Sequence, residues 1–420
     1  MSATTTTKTT ATEPSPAPGH GSIGQALSQY WDKVRGGDVG SLPAVLGLVA
    51  LVIVFTVLRP ENFTNAFNFA NLINQSAAVT LLAMGLVFVL LLGEIDLSAG
   101  FTAGTSAAVM AVVLTNQGRP WWIALFVCLA VGAFIGLVIG MLVARLGIPS
   151  FVVTLAFYLA LQGVMLVVIG DGGTIPIQDD TILAVMNSNL PVWLGWALFI
   201  LSVMAYGGVT YVRIMSRRKL GLITEGLSVW AARVVSMVVL LGVATFYLSL
   251  ERRRVDVAPS LRGIPIVVVV FGVLLVALTF LLQRTSFGRH VYAVGGNAEA
   301  ARRAGINVSR IKIACFMMCS TLAGLGGIAL ASRDNSVSPS TGGNQTLLYA
   351  VGAAVIGGTS LFGGKGKIKD AIIGGLVVGV IANGMGLLQQ SSGVQFIVTG
   401  LVLLVAASVD AISRRRSAAG

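Results

Sequence analysis

The sequence predicts an all-α polytopic membrane protein with about ten to twelve transmembrane helices and both termini in the cytoplasm. Three observations carry this. First, 55% of its 420 residues are hydrophobic, only 10% are charged, and the mean hydropathy is +0.87, whereas a soluble domain carries about 25% charged residues. Second, apolar stretches of roughly 20 residues recur along the chain, each long enough to cross a hydrocarbon core ~30 Å thick. The alternating segments of about 10 residues that mark a transmembrane β-barrel are absent. Third, Lys and Arg divide unevenly between successive loops, which fixes an orientation.

In chain order, the first 40 residues, MSATTTTKTTATEPSPAPGHGS and onward, are rich in Thr, Ser, Pro and Gly. They are expected to form a disordered cytoplasmic tail. No apolar core follows the start closely, so the tail does not read as a cleaved signal peptide, and the first span reads as an uncleaved anchor. Residues 41–412 read as the membrane domain and 413–420 as a basic cytoplasmic tail. Twelve spans are expected near 42–58, 71–92, 99–115, 121–144, 149–170, 191–212, 232–250, 263–283, 313–332, 346–361, 370–388 and 394–412. The tenth is short and Gly-rich and reads either as a full span or as a re-entrant or broken one.

With the N-terminus inside, 21 of the 28 Lys and Arg residues fall in cytoplasmic segments and 7 outside. Removing the weakest span, 232–250, flips every later loop and equalises the two sides at 14 each. The twelve-span orientation therefore satisfies the positive-inside rule. The cluster ERRRVD at 251–256 is its one violation. The net charge of +12 is mostly loop charge facing anionic lipid. Nucleic-acid binding needs a basic face on a folded soluble domain, and no segment outside the spans is long enough for one.

Composition excludes other chemistry. Cys128, Cys315 and Cys319 lie in apolar runs and read as small packing residues. The two histidines, His20 and His290, are too few and too scattered for a metal site or an intramembrane His–carboxylate centre. GTSLFGGKGK invites a phosphate-loop reading. However, Thr359 stands where a glycine is required, and Gly366 stands where Ser or Thr is required.

Three stretches and a few intramembrane polar residues stand out. LLGEIDLSAG, at 91–100, closes one span and opens the next with two carboxylates, Glu94 and Asp96. Asp96 or Ser98 can accept backbone N–H bonds at the start of the following helix. Alternatively, the acids are gating, path or proton-relay groups, since an ionisable residue at membrane depth marks function. The loop 284–312 is the longest polar segment between spans, and within it AEAARRA reads as a two-turn helix. Asn297 would cap that helix and Gly305 would end it. A helix that short must dock, either on the bilayer surface or in a groove of a cytoplasmic partner. Asn71, Asn74, Gln75, Gln162 and Asn383 lie inside spans and are candidates for a path, as are the rings of Phe157 and Tyr158. The first reading of each polar residue is nonetheless an interhelical hydrogen-bonding group, and of each ring plain packing.

EAARRAG at 299–305 resembles the Glu-Ala-Ala-x-x-x-Gly loop of ABC importer permeases, and GRHVYAVGGNAEAARRAGI resembles the whole loop in permeases of the ribose, xylose and galactose type. LLGEIDLSAG resembles the same family's Gly-Gly-Ile-Asp-Leu-Ser-x-Gly signature, with Glu94 replacing the second glycine. AVGAAVIGGTSLFGGKGKI at 350–368 resembles its Gly-Gly-Thr-Ser-Leu-x-Gly-Gly segment. These matches fall in order along nearly all of 60–412, and the long tail and the material around 213–262 resemble the xylose-type permeases most.

The resemblance implies a plasma-membrane permease subunit, not an enzyme, importing a pentose such as D-xylose. It implies an ABC ATPase subunit, an extracytoplasmic sugar-binding protein and a second permease copy as partners. ATP and Mg would be bound on the ATPase, and this chain would carry no cofactor. Coupling would fall to Asn297, Glu299, Ala300, Ala301, Arg302, Arg303 and Gly305. Glu94, Asp96, Ser98, Asn71, Gln75, Gln162 and Asn383 would gate or line the path. The rival reading is a proton-coupled secondary transporter using Glu94 and Asp96.

Overall fold

A computed structural model describes residues 40–170, 173–222, 224, 226–252 and 260–419, together with Gly24 and Ser28. The expected N-terminal tail therefore lies almost wholly outside the described residues. The described chain is helical: α1 (Leu42–Leu58), α2 (Pro60–Phe63), α3 (Ala66–Leu91), α4 (Ala99–Ala111), α5 (Trp121–Ala144), α6 (Ser150–Ile169), α7 (Asp180–Asn187), α8 (Val192–Lys219) and α9 (Leu227–Ser249). There follow α10 (Ile266–Arg284), α11 (Ser286–Gly296), α12 (Ala298–Arg303), α13 (Val308–Asp334), α14 (Asn344–Ile356), α15 (Ile368–Leu387) and α16 (Ser392–Ala419). One π-helical turn, Val112–Asn116, extends α4. The strands β1 (Ile175–Pro176) and β2 (Ser336–Val337) pair antiparallel.

Nine of the described helices are long and apolar enough to cross a membrane, and three shorter apolar ones, Leu42–Leu58, Asn344–Ile356 and Ser392–Val405, complete twelve. Each expected span meets one of these helices. The starts of α1 and α5 fall where expected, because Pro43 and the Arg119-Pro120 pair punctuate them. α3 starts five residues earlier than expected, at Ala66, because Asn65 Oδ1 accepts the Phe67 N–H at 2.9 Å and caps the helix. α14, with 13 residues, is about 20 Å long, shorter than a hydrocarbon core. α16 continues as helix to Ala419, through the residues expected to form a basic tail.

Two compact units divide the described chain, one around Trp196–Ala244 and the other around residues 40–195 with 245–419. In the first, the α8 and α9 portions are held by Trp230, whose Nε1–H donates to Thr210 Oγ1 at 3.0 Å and to the Gly207 carbonyl at 3.2 Å. The second unit holds the core. α3 is buried over most of its length, and α13 packs along α3, α4 and α5. Small residues permit this approach: a Cβ at Gly136 would lie 2.4 Å from the Phe316 carbonyl oxygen, and one at Gly327 would lie 2.2 Å from that of Ala103. The three cysteines are free and buried in these seams.

Part of the ERRRVD cluster gains a physical account. Arg252 is buried, and its guanidinium donates to the Leu261 and Gly263 carbonyls at 2.7 and 2.9 Å. Glu251 accepts from the Leu261 N–H at 3.1 Å and pairs with Arg262 at 3.1 Å. Glu251 and Arg252 thus hold the two described ends of this loop together. Residues 253–256 lie outside the described set.

Candidate functional site

The loop 284–312 holds two helices rather than the single one expected. α11 begins where the Thr285 hydroxyl oxygen accepts the Gly288 N–H, and it buries Gly288, Val291 and Val294 on one face. α12 forms as its residues predict. Asn297 Oδ1 accepts the Ala300 N–H at 2.9 Å, and Gly305, at φ +84°, lets the Gly305 and Ile306 amides donate back to Arg302 and Ala301. Glu299 sits in the first turn, where the helix dipole favours an anion, and pairs with Arg302 at 3.2 Å and Arg303 at 3.3 Å. Ala301 alone of the seven candidate coupling residues is buried. Asn297, Glu299, Ala300, Arg302, Arg303 and Gly305 are exposed. Isolated exposed pairs like these contribute only about 0.3–0.5 kcal/mol, so they shape a surface more than they stabilise it.

α11 docks on the two other singled-out stretches. A Cβ at Gly295 would lie 1.8 Å from the Leu91 carbonyl oxygen, so backbone meets backbone there. The same Leu91 carbonyl accepts the Gly364 N–H at 2.9 Å. A Cβ at Gly363 would lie 2.7 Å from the Gly295 carbonyl oxygen and 2.9 Å from the Gly93 nitrogen. The Tyr292 hydroxyl donates to the Gly366 carbonyl at 2.8 Å. Three stretches separated by up to about 270 residues thus close on one another through glycines. GTSLFGGKGK serves here as a packing loop, folded on itself by the Ser360 N–H donating to the Lys365 carbonyl at 2.9 Å.

The two carboxylates of the 92–98 turn take different environments. Asp96 is fully buried, and its Oδ1 accepts from the Ser98 N–H at 2.9 Å and the Ser98 hydroxyl at 2.6 Å. Burial pushes its carboxyl above the ordinary carboxylate range, and the Ser98 bonds pull back less strongly. Asp96, not Ser98, therefore supplies the side-chain acceptor that orders the entry to α4. Glu94 is half-buried, and its Oε1 receives Lys312 Nζ at 2.5 Å. The turn is also held against α6: Ser150 Oγ accepts the Ile95 N–H at 3.4 Å, and the Thr154 hydroxyl donates to the Ile95 carbonyl at 3.3 Å.

At the other end of α13, about 30 Å along its axis from Lys312, a cavity of about 240 Å³ lies among α3, α13, α14 and α15. Gln75, Ser76, Arg333, Gln345, Thr346 and Tyr349 give it polar walls. Behind Gln75, Asn383 Nδ2 donates to Asn68 Oδ1 at 2.9 Å and to Gln75 Oε1 at 3.3 Å, and Asn68 Nδ2 returns a 2.9 Å bond to Asn383 Oδ1. Gln75 and Asn383 are thus brought together as candidates.

The other polar candidates are placed elsewhere. Gln162 is exposed on α6 and does not line the cavity, and half-buried Asn71 does not line it either. Asn74 donates to the Met186 carbonyl at 3.2 Å, an interhelical bond. Tyr158 packs edge-on against Phe101 with centroids 4.8 Å apart, and Phe157 packs on the core, so neither ring faces the cavity. Asn68, Lys312, Arg333, Gln345 and Tyr349 were not anticipated. Asn68 precedes Asn71 and Gln75 by three and seven residues, a one-face helical spacing that would have revealed it.

The family described as branched-chain amino acid transport system / permease component matches residues 68–407. The chain is similar to the xylose transport system permease protein XylH of Escherichia coli (strain K12), at 35% identity over 374 residues, covering 89% of this chain and 92% of that protein. The XylH protein of Haemophilus influenzae is 34% identical over 379 residues, covering 90% of this chain and 98% of that one. The ribose import permease protein RbsC of Escherichia coli (strain K12) is 32% identical over 382 residues, covering 91% and 96%. No solved structure matches the chain significantly.

Proposed function

The chain belongs to the branched-chain amino acid transport system / permease component family, and from that premise we propose that it imports a pentose, D-xylose foremost, in an ATP-driven importer. It is a multi-pass protein of the bacterial inner membrane and a transport subunit rather than an enzyme. An ABC ATPase and an extracytoplasmic sugar-binding protein are its partners in general terms. The xylose assignment is supported by the XylH relatives, which cover nearly the whole chain.

In this reading, both termini are cytoplasmic, residues 41–412 form the permease domain, and two copies surround one path. ATP and Mg are bound by the ATPase, whose surface receives the exposed face of α12 through Asn297, Glu299, Ala300, Arg302 and Arg303. Ala301 packs α12 onto the fold and Gly305 ends it. The observation that carries the reading is the closing of α11 against Leu91, Gly93 and the 363–366 loop. An advance of α11 and α12 toward α3 must move the ends of α3 and α15 with it, because close-packed backbones leave no slack. The 92–98 turn, with Glu94, Asp96 and Ser98, then acts as the inner gate. The cavity by Gln75, backed by Asn383, acts as an outer station for the sugar. Its amides and hydroxyls suit a neutral polyol, which needs donors and acceptors but no strong charge.

The ATPase shifts the access equilibrium only by as much as it binds one state better than the other. The proton-coupled alternative is disfavoured by the likeness to xylose and ribose import permeases over nearly the whole chain. The test is uptake of labelled D-xylose by membranes containing this chain alone or with its ATPase and binding protein. The reading expects ATP-dependent uptake only from the full set. Uncoupler-sensitive uptake by the lone chain would overturn it.

A further inference from the structure

We propose that the Glu94–Lys312 ion pair is a tension strut that draws the inner-gate turn back when the α11–α12 segment withdraws, a positioning pair for transport. The proposal rests on the coupling reading above and deepens it.

The pair joins two places that the backbone does not join in sequence. Lys312 lies five residues into α13, directly after α12 and the Gly305 turn. Glu94 lies in the turn between α3 and α4, 218 residues earlier. Side-chain exposures of 23% for Lys312 and 16% for Glu94 place the charges in a medium less polar than water, where attraction exceeds that of a surface pair.

Steric contact and ionic contact transmit opposite motions. Gly295 against the Leu91 carbonyl and Gly363 against Gly93 resist compression, so an advancing α11 pushes the ends of α3 and α15. The glycine contacts do not resist separation, and the hydrogen bonds that do, Tyr292 to Gly366 and Gly364 to Leu91, stop short of the 94–98 segment. An ion pair at Glu94 resists it, because its energy rises as the charges part. The turn itself is stiff enough to be pulled as one piece. Glu94 N–H is bonded to the Val89 carbonyl at 3.2 Å, Ile95 is bonded to Ser150 and Thr154, and Asp96 is locked on Ser98. A push from packed glycines and a pull from the ion pair together make the turn follow α12 in both directions.

Simple helix stabilisation does not account for Lys312. It sits near the positive end of the α13 dipole, where a cation is disfavoured and an acid favoured. The lysine is offset there by Glu94, the residue that replaces a glycine of the resembled signature.

The test uses the full importer reconstituted with its ATPase and binding protein. It compares wild type, Glu94→Gln, Lys312→Glu and the charge-swapped double variant Glu94→Lys with Lys312→Glu. The readouts are D-xylose taken up per ATP hydrolysed and copurification of the ATPase. The strut expects both single variants to retain the ATPase but to lose uptake per ATP by about fivefold or more. It expects the swap to recover most of that loss. Lys312→Glu is the discriminating single variant, because a purely helix-stabilising role predicts that it does no harm. Wild-type uptake per ATP in either single variant, or a swap no better than the singles, overturns the strut while leaving the coupling reading intact. Failure of the ATPase to copurify with the wild-type chain overturns both.

Discussion

Replacing Gly295 with alanine puts a methyl carbon 1.8 Å from the Leu91 carbonyl oxygen and 2.9 Å from the Gly364 nitrogen. Both neighbours are backbone, and neither can rotate away. Because Cβ contacts under 3.0 Å do not persist, α11 must retreat from α3 by about 1 Å or more. Overpacking of this kind costs about 1–3 kcal/mol. Gly296, the next residue, is a built-in control: a Cβ there meets nothing within 4 Å. Both substitutions gain similar helix propensity, up to about 1 kcal/mol, so their difference isolates the docking contact. The assay is thermal unfolding of the purified importer alongside ATP-driven uptake. Gly295→Ala should unfold earlier and transport poorly, whereas Gly296→Ala should match or slightly exceed wild type in stability and match it in uptake. Equal behaviour of the two variants in both assays would refute the claim that the three stretches are mechanically joined at Gly295.

Three further outcomes follow from the same geometry. Replacing Glu299 and Gly305 together should leave membrane insertion intact but uncouple transport, since Glu299 anchors both arginine pairs and Gly305 holds φ +84°; normal uptake would contradict this. Asn68→Ala and Asn383→Ala each leave the other amide without its reciprocal partner, costing about 1–3 kcal/mol. The double variant should cost less than the sum of the singles in an unfolding cycle. Asp96 binds its proton more tightly in the buried site than in the unfolded chain, so its stability contribution is full below the ordinary carboxylate pKa and is lost as pH rises through the raised value. Wild-type stability relative to Asp96→Asn should therefore fall with rising pH in thermal unfolding; a gap that widens in favour of wild type contradicts the assignment.

Twelve apolar helices were legible because each is a long run with polar punctuation, and the Asn297 cap and Gly305 stop of α12 follow from local chemistry alone. α11 was not legible. Gly288, Gly295 and Gly296 weigh against a helix, and what holds it is the burial of Val291 and Val294 on the rest of the fold. The three glycine-rich stretches were recognisable one by one. Their convergence was not, since a glycine's need for close approach says nothing about which backbone approaches. Asn68 was hidden by a helix start placed five residues late, so its pairing with Asn383 across 315 positions went unseen. The cavity walls come from four helices, and no single stretch of sequence contains enough of them to announce it. Depth was the missing quantity for Glu94 and Asp96. What the structure adds is their partners, Lys312 from 218 residues away and Ser98 from two.

The most direct test of the coupling account is site-directed cross-linking to the ATPase. Cys128, Cys315 and Cys319 are buried, so a new surface cysteine reports on its own position. Arg303→Cys places the thiol on the exposed face of α12, where the Arg303 side chain is 80% exposed. Gln345→Cys places it at the opposite end of the fold, by the cavity. The account predicts that a short bifunctional reagent joins the chain to the ATPase from Arg303→Cys and not from Gln345→Cys. An adduct from Gln345→Cys, or none from Arg303→Cys in an importer that still takes up D-xylose, would contradict it.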